Sequence, residues 1–312
     1  MRSWIRACLI WVGFLVFASA ASAVTVSTVQ IGDAGNSADG LTGYGAVGYD
    51  YSIGTYEVTN SQYAEFLNSK AASDPLGLWN PFNAGNITRS GVSGSFTYAV
   101  VAGRADRPAV FVSFYDTLRF ANWMTNGQGL GDTESGSYTL TGGTAIPTNG
   151  FTLSRNPAGS FFLTSEDEWY KGAYYDQGSN AYTLYTTNAN VLPTCSAPTA
   201  TANRGNCGNA VGGTTNVGSY TGSASANGTY DQGGNVWEWN ESIIFAAFRG
   251  YRGGAFNNFN TRFESTERQN ANPALEFADV GFRLAYIPEP GTAVLLSLGL
   301  VGLAARRRAQ SR

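Results

Sequence analysis

Residues 228–239, Gly-Thr-Tyr-Asp-Gln-Gly-Gly-Asn-Val-Trp-Glu-Trp, hold the chain's densest group of chemically useful side chains. Asp231 and Glu238 flank a Gly-Gly turn, and Trp237 and Trp239 enclose the second acid. Two carboxylates and free backbone carbonyls suit a hard cation that takes oxygen ligands, set beside a buried aromatic anchor. Glu166, Asp167 and Glu168 form a second acidic group. A pair of acids is what a carboxylate-only glycosidase would need. Three acids in the first turn of a helix also have a plain structural use, because the helix dipole favours negative charge there. The chain contains no histidine. That removes a histidine base, a histidine metal ligand and a Ser-His-Asp triad.

The elements that must position these groups are strand-to-helix junctions. Residues 49–60 read as a strand entering a helix that Thr59 or Asn60 caps, with Tyr63, Phe66 and Leu67 on its inner face and an end near Lys70. Residues 107–116 repeat the pattern, with Ser113 as cap and Asp116 as the acid three positions on. Leu118, Ala121 and Trp123 continue at helical spacing, and the glycines of 127–131 stop the helix. Residues 161–170 give a third junction, capped by Thr164 with Asp167 or by Ser165 with Glu168. Tyr138 and Leu140 are expected in a short strand of a hairpin-rich insertion, and residues 216–220 in another short strand. Residues 176–215 read as a long loop, which is unusual in a compact domain without a function. Few charges and many Gly, Asn, Thr and aromatic residues fit a loop-rich extracellular α+β fold.

Both ends read as sorting signals. Arg2 and Arg6 precede the apolar run Ala7–Phe17, and Ala21-Ser22-Ala23 is a small-x-small cleavage site for signal peptidase. The expected organisation is a signal peptide over 1–23, one domain over 24–287 and a tail over 288–312. The tail has Pro288-Glu289-Pro290, a short apolar run from Gly291 to Ala305, then Arg306-Arg307-Arg308. About 15 apolar residues are short for a full span, which takes roughly 20. Arginines stay on the cytoplasmic side. An ordinary tail anchor would look similar, but this order of parts resembles the PEP-CTERM sorting signal. That resemblance implies transient inner-membrane anchoring as a short transmembrane helix, cleavage by an exosortase, and delivery to the cell surface, the outer membrane or an exopolysaccharide matrix.

The chain has 19 basic and 22 acidic residues; the signal removes two arginines, and the tail four arginines with Glu289, leaving 13 against 21. An acidic domain is a poor partner for nucleic acid. Cys8 leaves with the signal. Cys195 and Cys207, 12 apart in an exported chain, read as a loop-closing disulfide, with a reactive thiol pair as the alternative.

Six motifs in order resemble the formylglycine-generating enzyme, or sulfatase-modifying factor, family: Tyr56-Glu57-Val58-Thr59-Asn60, Pro108 to Asp116, Leu163 to Trp169, Gly234 to Trp239, Arg252-Gly253-Gly254 and Gly281-Phe282-Arg283. The resemblance implies a C-type-lectin-like fold of short strands, few helices and much irregular loop, with bound structural calcium. It assigns one calcium to the side chains of Asp231 and Glu238 and the carbonyls of Gly234 and Val236. Glu238 as a salt-bridged structural acid is the competing reading. It places a second calcium at Asn203 and the Arg204 carbonyl, completed by Asn209 and Val211. The enzymes carry a copper-binding cysteine pair after the Arg-Gly-Gly segment. Here that segment runs Ala255 to Phe263 without a cysteine, so copper chemistry is not expected. Other members use histidines in iron oxidation, and these are missing too. Trp237, Arg252, Asn257, Asn258, Arg262 and Arg268 are the candidate lining of a polar, aromatic groove for glycan or protein. Pairing of Arg252 and Arg268 with Glu264 and Glu267 is the alternative use of those arginines. An enzyme of the family with an altered active site is the alternative function.

Overall fold

The computed structural model describes residues 23–288. Residues 1–22 of the expected signal peptide, and the apolar run with its arginine cluster, lie outside the described residues. Among the described residues, no helix is long and apolar enough to cross a membrane.

Among the described residues, fourteen short strands and three α-helices alternate with long irregular segments. The strands are β1 (Thr28–Ile31), β2 (Tyr51–Gly54), β3 (Ile87–Ser90), β4 (Thr97–Val100), β5 (Phe161–Leu163), β6 (Tyr175–Asp176), β7 (Ala181–Tyr182), β8 (Thr194–Cys195), β9 (Arg204–Gly205), β10 (Trp237–Ile244), β11 (Phe248–Arg252), β12 (Gln269–Ala271), β13 (Val280–Gly281) and β14 (Leu284–Tyr286). The helices are α1 (Asn60–Lys70), α2 (Phe114–Thr125) and α3 (Glu166–Tyr174). One four-stranded sheet has the order β1-β2-β14-β5 and the other β12-β11-β10-β13. The last described strand, β14, therefore sits in the middle of the first sheet, between β2 and β5.

Each helix starts where the sequence places a cap, and each has a reciprocal capping box. Thr59 pairs with Gln62, Ser113 with Asp116, and Ser165 with Glu168. Between the open alternatives, the structure selects Thr59 over Asn60 and Ser165 over Thr164. The main core forms where α1 and α2 meet the sheets. Tyr63, Phe66, Phe120, Trp123 and Phe282 are buried there, with ring centroids 5.4–6.5 Å apart.

Three expectations fail locally. Residues 216–220 form a turn, because Gly218 takes φ 71° and donates its N–H to the Asp231 carboxylate instead of joining a ladder. Tyr138 makes only an isolated bridge to Arg155, since its hydroxyl and N–H are already held by Glu241 and Asn122. The 176–215 segment is not uniform loop, as it contains β6 to β9.

The β10–β11 hairpin turns through Phe245 and Ala246, both left-handed at φ 51° and 63°. Phe245 is 83% exposed, so no burial compensates the strain. A side chain in that region costs roughly 1–2 kcal/mol, which glycine avoids. Ala246→Gly is expected to stabilise the domain by about 1 kcal/mol, raising its melting temperature by about 2–4 °C. A lower melting temperature would show that the turn is held by something other than local backbone preference.

Candidate functional site

The site around β10 is built from three places in the sequence. The strand supplies Trp237, Glu238 and Trp239. The loop before it supplies Asp231 and Asn235, both left-handed at φ 60°. The β2–α1 junction supplies Glu57. Gly234 makes the turn possible, because at φ 92° an added Cβ would lie 2.4 Å from the Asn206 carbonyl oxygen. Gly253 is under the same constraint from the Gln232 carbonyl, 2.6 Å from its would-be Cβ. These two glycines let the strand-entry loop and the Arg-Gly-Gly segment pass each other at backbone contact.

Glu238 is an ion-pair partner. Arg283 donates through Nε to Oε2 at 2.5 Å and through Nη2 to Oε1 at 2.6 Å. Trp169 adds an indole N–H to Oε2 at 2.7 Å. Both side chains of the pair are fully buried. The other faces of the guanidinium donate to the carbonyls of Gly54 and Tyr230, each at 2.9 Å. One arginine thus joins β2, the motif loop and β10. Burial works against the Arg283 charge, but Glu238, Glu57 and Asp231 outweigh it and hold its pKa above the ordinary value. The carboxylate expected to face a cation is therefore committed to Arg283 and Trp169.

The unpaired acid is Glu57. Its Oε1 accepts from Asn235 Nδ2 at 2.9 Å, while its Oε2 is buried without a hydrogen-bond partner. Asn235 Oδ1 accepts from the Thr215 N–H at 2.9 Å and from Asn206 Nδ2 at 3.2 Å, and Asn206 Oδ1 is again buried and unpartnered. Burial raises the Glu57 pKa well above the usual carboxylate range, and the charges of Asp231 and Glu238 add to it. Burial likewise lifts Asp231 from 3.8 to about 6, despite the Gly218 N–H and Arg283. Three buried carboxylates face one guanidinium. Among the described residues, no three histidine, cysteine or acidic side chains are arranged as a metal cluster. A cation here would take Glu57 with amide and carbonyl oxygens, a set suited to calcium and not to zinc or copper.

The second expected calcium position lies in the cysteine loop. Cys195 and Cys207 are bonded, with Cα atoms 4.9 Å apart. Asn203 Oδ1 accepts from the Thr187 hydroxyl at 2.7 Å, and Arg204 donates its N–H to Ser223 Oγ at 2.9 Å. Asn209 donates its N–H to the Phe256 carbonyl at 2.8 Å, and Val211 is exposed.

The groove residues form two groups, with Arg252, Arg262 and Arg268 gathered around Glu166 and Glu267 and with Trp237 and Asn257 both hydrogen-bonded to Asp279. Trp237 is in the core, edge-on to Tyr251 at 5.4 Å. Arg252 is buried and donates through Nε to Glu166 Oε1 at 2.8 Å, and Arg268 reaches the other oxygen of Glu166. Arg262 pairs with Glu267. Asn257 donates to Asp279 at 3.0 Å, and Asn258 accepts the Ala255 N–H at 3.0 Å. Arg252 and Arg268 are used internally as the alternative reading supposed, but their carboxylate partner is Glu166, and Glu267 enters only through its backbone carbonyl, which accepts from Arg252 Nη1 at 2.8 Å. The remaining acids of the α3 turn are also engaged. Arg155 holds both oxygens of Glu168 at 2.7 and 2.6 Å, and Asp167 accepts the Gly45 N–H at 2.8 Å.

Glu57, Asn235, Asn206, Arg155 and Arg283 are the residues whose roles sequence reasoning missed. A signal existed for Glu57. It continues the alternation of buried Tyr51, Ile53 and Thr55, which places an acid in phase with an inward face.

A family model described as the sulfatase-modifying factor enzyme 1-like domain matches residues 42–287. The chain belongs to the sulfatase-modifying factor family. A second model, the PEP-CTERM protein-sorting motif, matches residues 287–308. This family member therefore carries an export-linked sorting signal, and the motif implies processing by an exosortase. No curated protein matches the chain. Among solved structures, Treponema denticola variable protein 1 is 20% identical with a TM-score of 0.56, over 86% of this chain and 98% of that one. CarF is also 20% identical at 0.56, over 85% and 99%. At that identity the likeness concerns the fold, which is α+β with few helices, short strands and much loop.

Proposed function

We propose that this chain is a non-catalytic member of the sulfatase-modifying factor family, displayed at the cell surface or in an exopolysaccharide matrix, where it binds a glycan or a surface protein. The observation that carries this reading is the state of the family's motif residues. Glu238, Arg252, Arg283, Glu166 and Glu168 are all spent on buried internal pairs. No cysteine follows Cys207 before the tail, and Cys207 is bonded to Cys195. Copper-thiolate oxidation has no thiolate pair in such a chain, and a two-acid hydrolase would find only Asp167 of the three α3 acids outside an ion pair.

Calcium has a structural role in this proposal. Glu57, Asn235 and Asn206 would hold it, and bound there it would supply the positive charge that the buried acids lack. The chain's own residues do the rest: Asn235 orients Glu57, and Arg283 neutralises Glu238.

The purified exported protein should contain calcium without stoichiometric copper, and should leave a cysteine-containing sulfatase-type peptide unoxidised. Conversion of that peptide to the aldehyde, read by mass spectrometry, would overturn the non-catalytic reading. A pull-down on surface polysaccharide tests the binding role.

A further inference from the structure

The β1–β2 connection and the β6–β7 hairpin together enclose a cavity of about 530 Å³. That is the size range of small-molecule sites. Asp33, Asn36 and Asp39 line it from one side, and Tyr175, Asn180 and Tyr182 from the other. The sequence motifs of the family do not include these residues, and the buried acids around β10 are separate from them.

The wall is fixed in place. Asn36 Nδ2 donates to the Gly45 carbonyl at 2.8 Å, and its Oδ1 accepts the Val47 N–H at 3.2 Å. Tyr182 donates its hydroxyl to the same Gly45 carbonyl at 2.9 Å. Its ring packs against Tyr175 at 4.9 Å and Tyr170 at 5.7 Å. The carboxylates are oriented as well. Tyr175 donates to Asp33 Oδ2, Tyr170 donates to Asp39 Oδ2, and the Leu41 N–H donates to Asp39 Oδ1 at 2.9 Å. Asp33 Oδ1 and Asn180 Nδ2 are left as an acceptor and a donor, and both residues are exposed.

The chemistry of the lining selects a ligand class. An aromatic wall offers an apolar face, while a carboxylate and an amide offer an acceptor and a donor at fixed positions. Vicinal hydroxyls on a ring with an apolar C–H face match that pattern. The charge of the lining is negative. The nearest ammonium, on Lys171, is buried and turned to the Asp33 carbonyl at 2.8 Å. A uronic acid, sulfate or phosphate would meet two carboxylates and no free cation in the lining.

We infer that this cavity is a binding site for a neutral sugar unit of a surface polysaccharide, with Asp33 and Asn180 taking its hydroxyls and Tyr182 its ring face. This rests on the glycan-binding form of the proposed function and gives it a location and a charge class.

The test uses the purified exported protein on gels containing dextran, galactan or mannan as neutral probes and alginate as the anionic one. Retardation by at least one neutral polysaccharide and none by alginate is expected. Asn180→Gly, chosen because Asn180 is left-handed at φ 51° and glycine tolerates that backbone, and Asp33→Asn change exposed side chains and should keep the parent melting temperature. Each is expected to weaken the neutral interaction by about tenfold, the usual scale for losing one well-placed contact. Neutral binding that survives both variants would overturn the cavity while leaving glycan binding standing elsewhere. Preference for alginate would overturn the charge argument and the inference with it. No retardation by any polysaccharide would overturn both the site and the glycan-binding reading.

Discussion

Arg283→Met is expected to lower the stability of the domain by about 3–5 kcal/mol, the usual cost of breaking a buried ion pair from one side. Domains have about 5–15 kcal/mol in total, so this one change removes a large fraction of what holds the fold. The cost comes from what stays behind. Glu238 would keep only the Trp169 indole, and the carbonyls of Gly54 and Tyr230 would lose their donors. Glu57 and Asp231 would lose the one cation that lowers their protonation tendency. The double variant Arg283→Met with Glu238→Gln separates attraction from desolvation. Glutamine retains an acceptor for Trp169 and carries no charge, so part of the loss should return. Denaturant midpoints of the parent, both single variants and the double variant give the coupling directly. A single-variant loss below about 1 kcal/mol would mean that the pair is not buried as described.

The sequence and the structure agree where the physics is local. The three helix starts depend on residues three apart, Thr59 with Gln62, Ser113 with Asp116 and Ser165 with Glu168, and such pairs are readable from spacing alone. The family motifs fixed the fold for the same reason, since they occur in order over most of the chain. The site was less legible because its partners are far apart in sequence. Glu238 meets Arg283 across 45 positions and Asn235 meets Glu57 across 178. An acid between two tryptophans has the same local signature whether it faces a cation or an arginine. The arginines of the supposed groove show the same ambiguity. Arg252 finds Glu166 86 positions away, and nothing in Arg-Gly-Gly reveals that partner. The β1–β2 loop carried a different obstacle. Its Gly, Asn and Asp residues read as ordinary turn formers, and only the return of β6–β7 shows that Tyr175 and Tyr182 face them.

The calcium proposed at Glu57 leads to the second large effect, and it is a pH effect. In the cation-free protein, Asp231 titrates near 6 against 3.8 as its ordinary value. A raised folded-state pKa means that the folded protein holds the proton more tightly. The stabilising contribution of Asp231 is then full below about pH 4 and is lost as pH rises to about 6, beyond which the loss is constant. Two pH units correspond to about 3 kcal/mol. Glu57, raised further by burial and by its acidic neighbours, extends the same decline to higher pH. A divalent cation bound at Glu57 reverses the trend, because it favours the ionised form. At a calcium concentration 100 times the dissociation constant, the gain is about 2.7 kcal/mol. For a domain of this size that is a rise of about 5–10 °C in melting temperature at pH 7.5. The rise should fade toward pH 4, where the carboxylates are protonated and cannot act as ligands. Glu57→Gln should remove the calcium response and the part of the decline above about pH 6, since the glutamine is neutral throughout while Asp231 still titrates. Glu238→Gln should leave the calcium response in place, because that carboxylate is committed to Arg283. Identical melting curves with calcium and with chelator at pH 7.5 would sink the cation site. A response lost with Glu238 and retained without Glu57 would return the ligand to the strand.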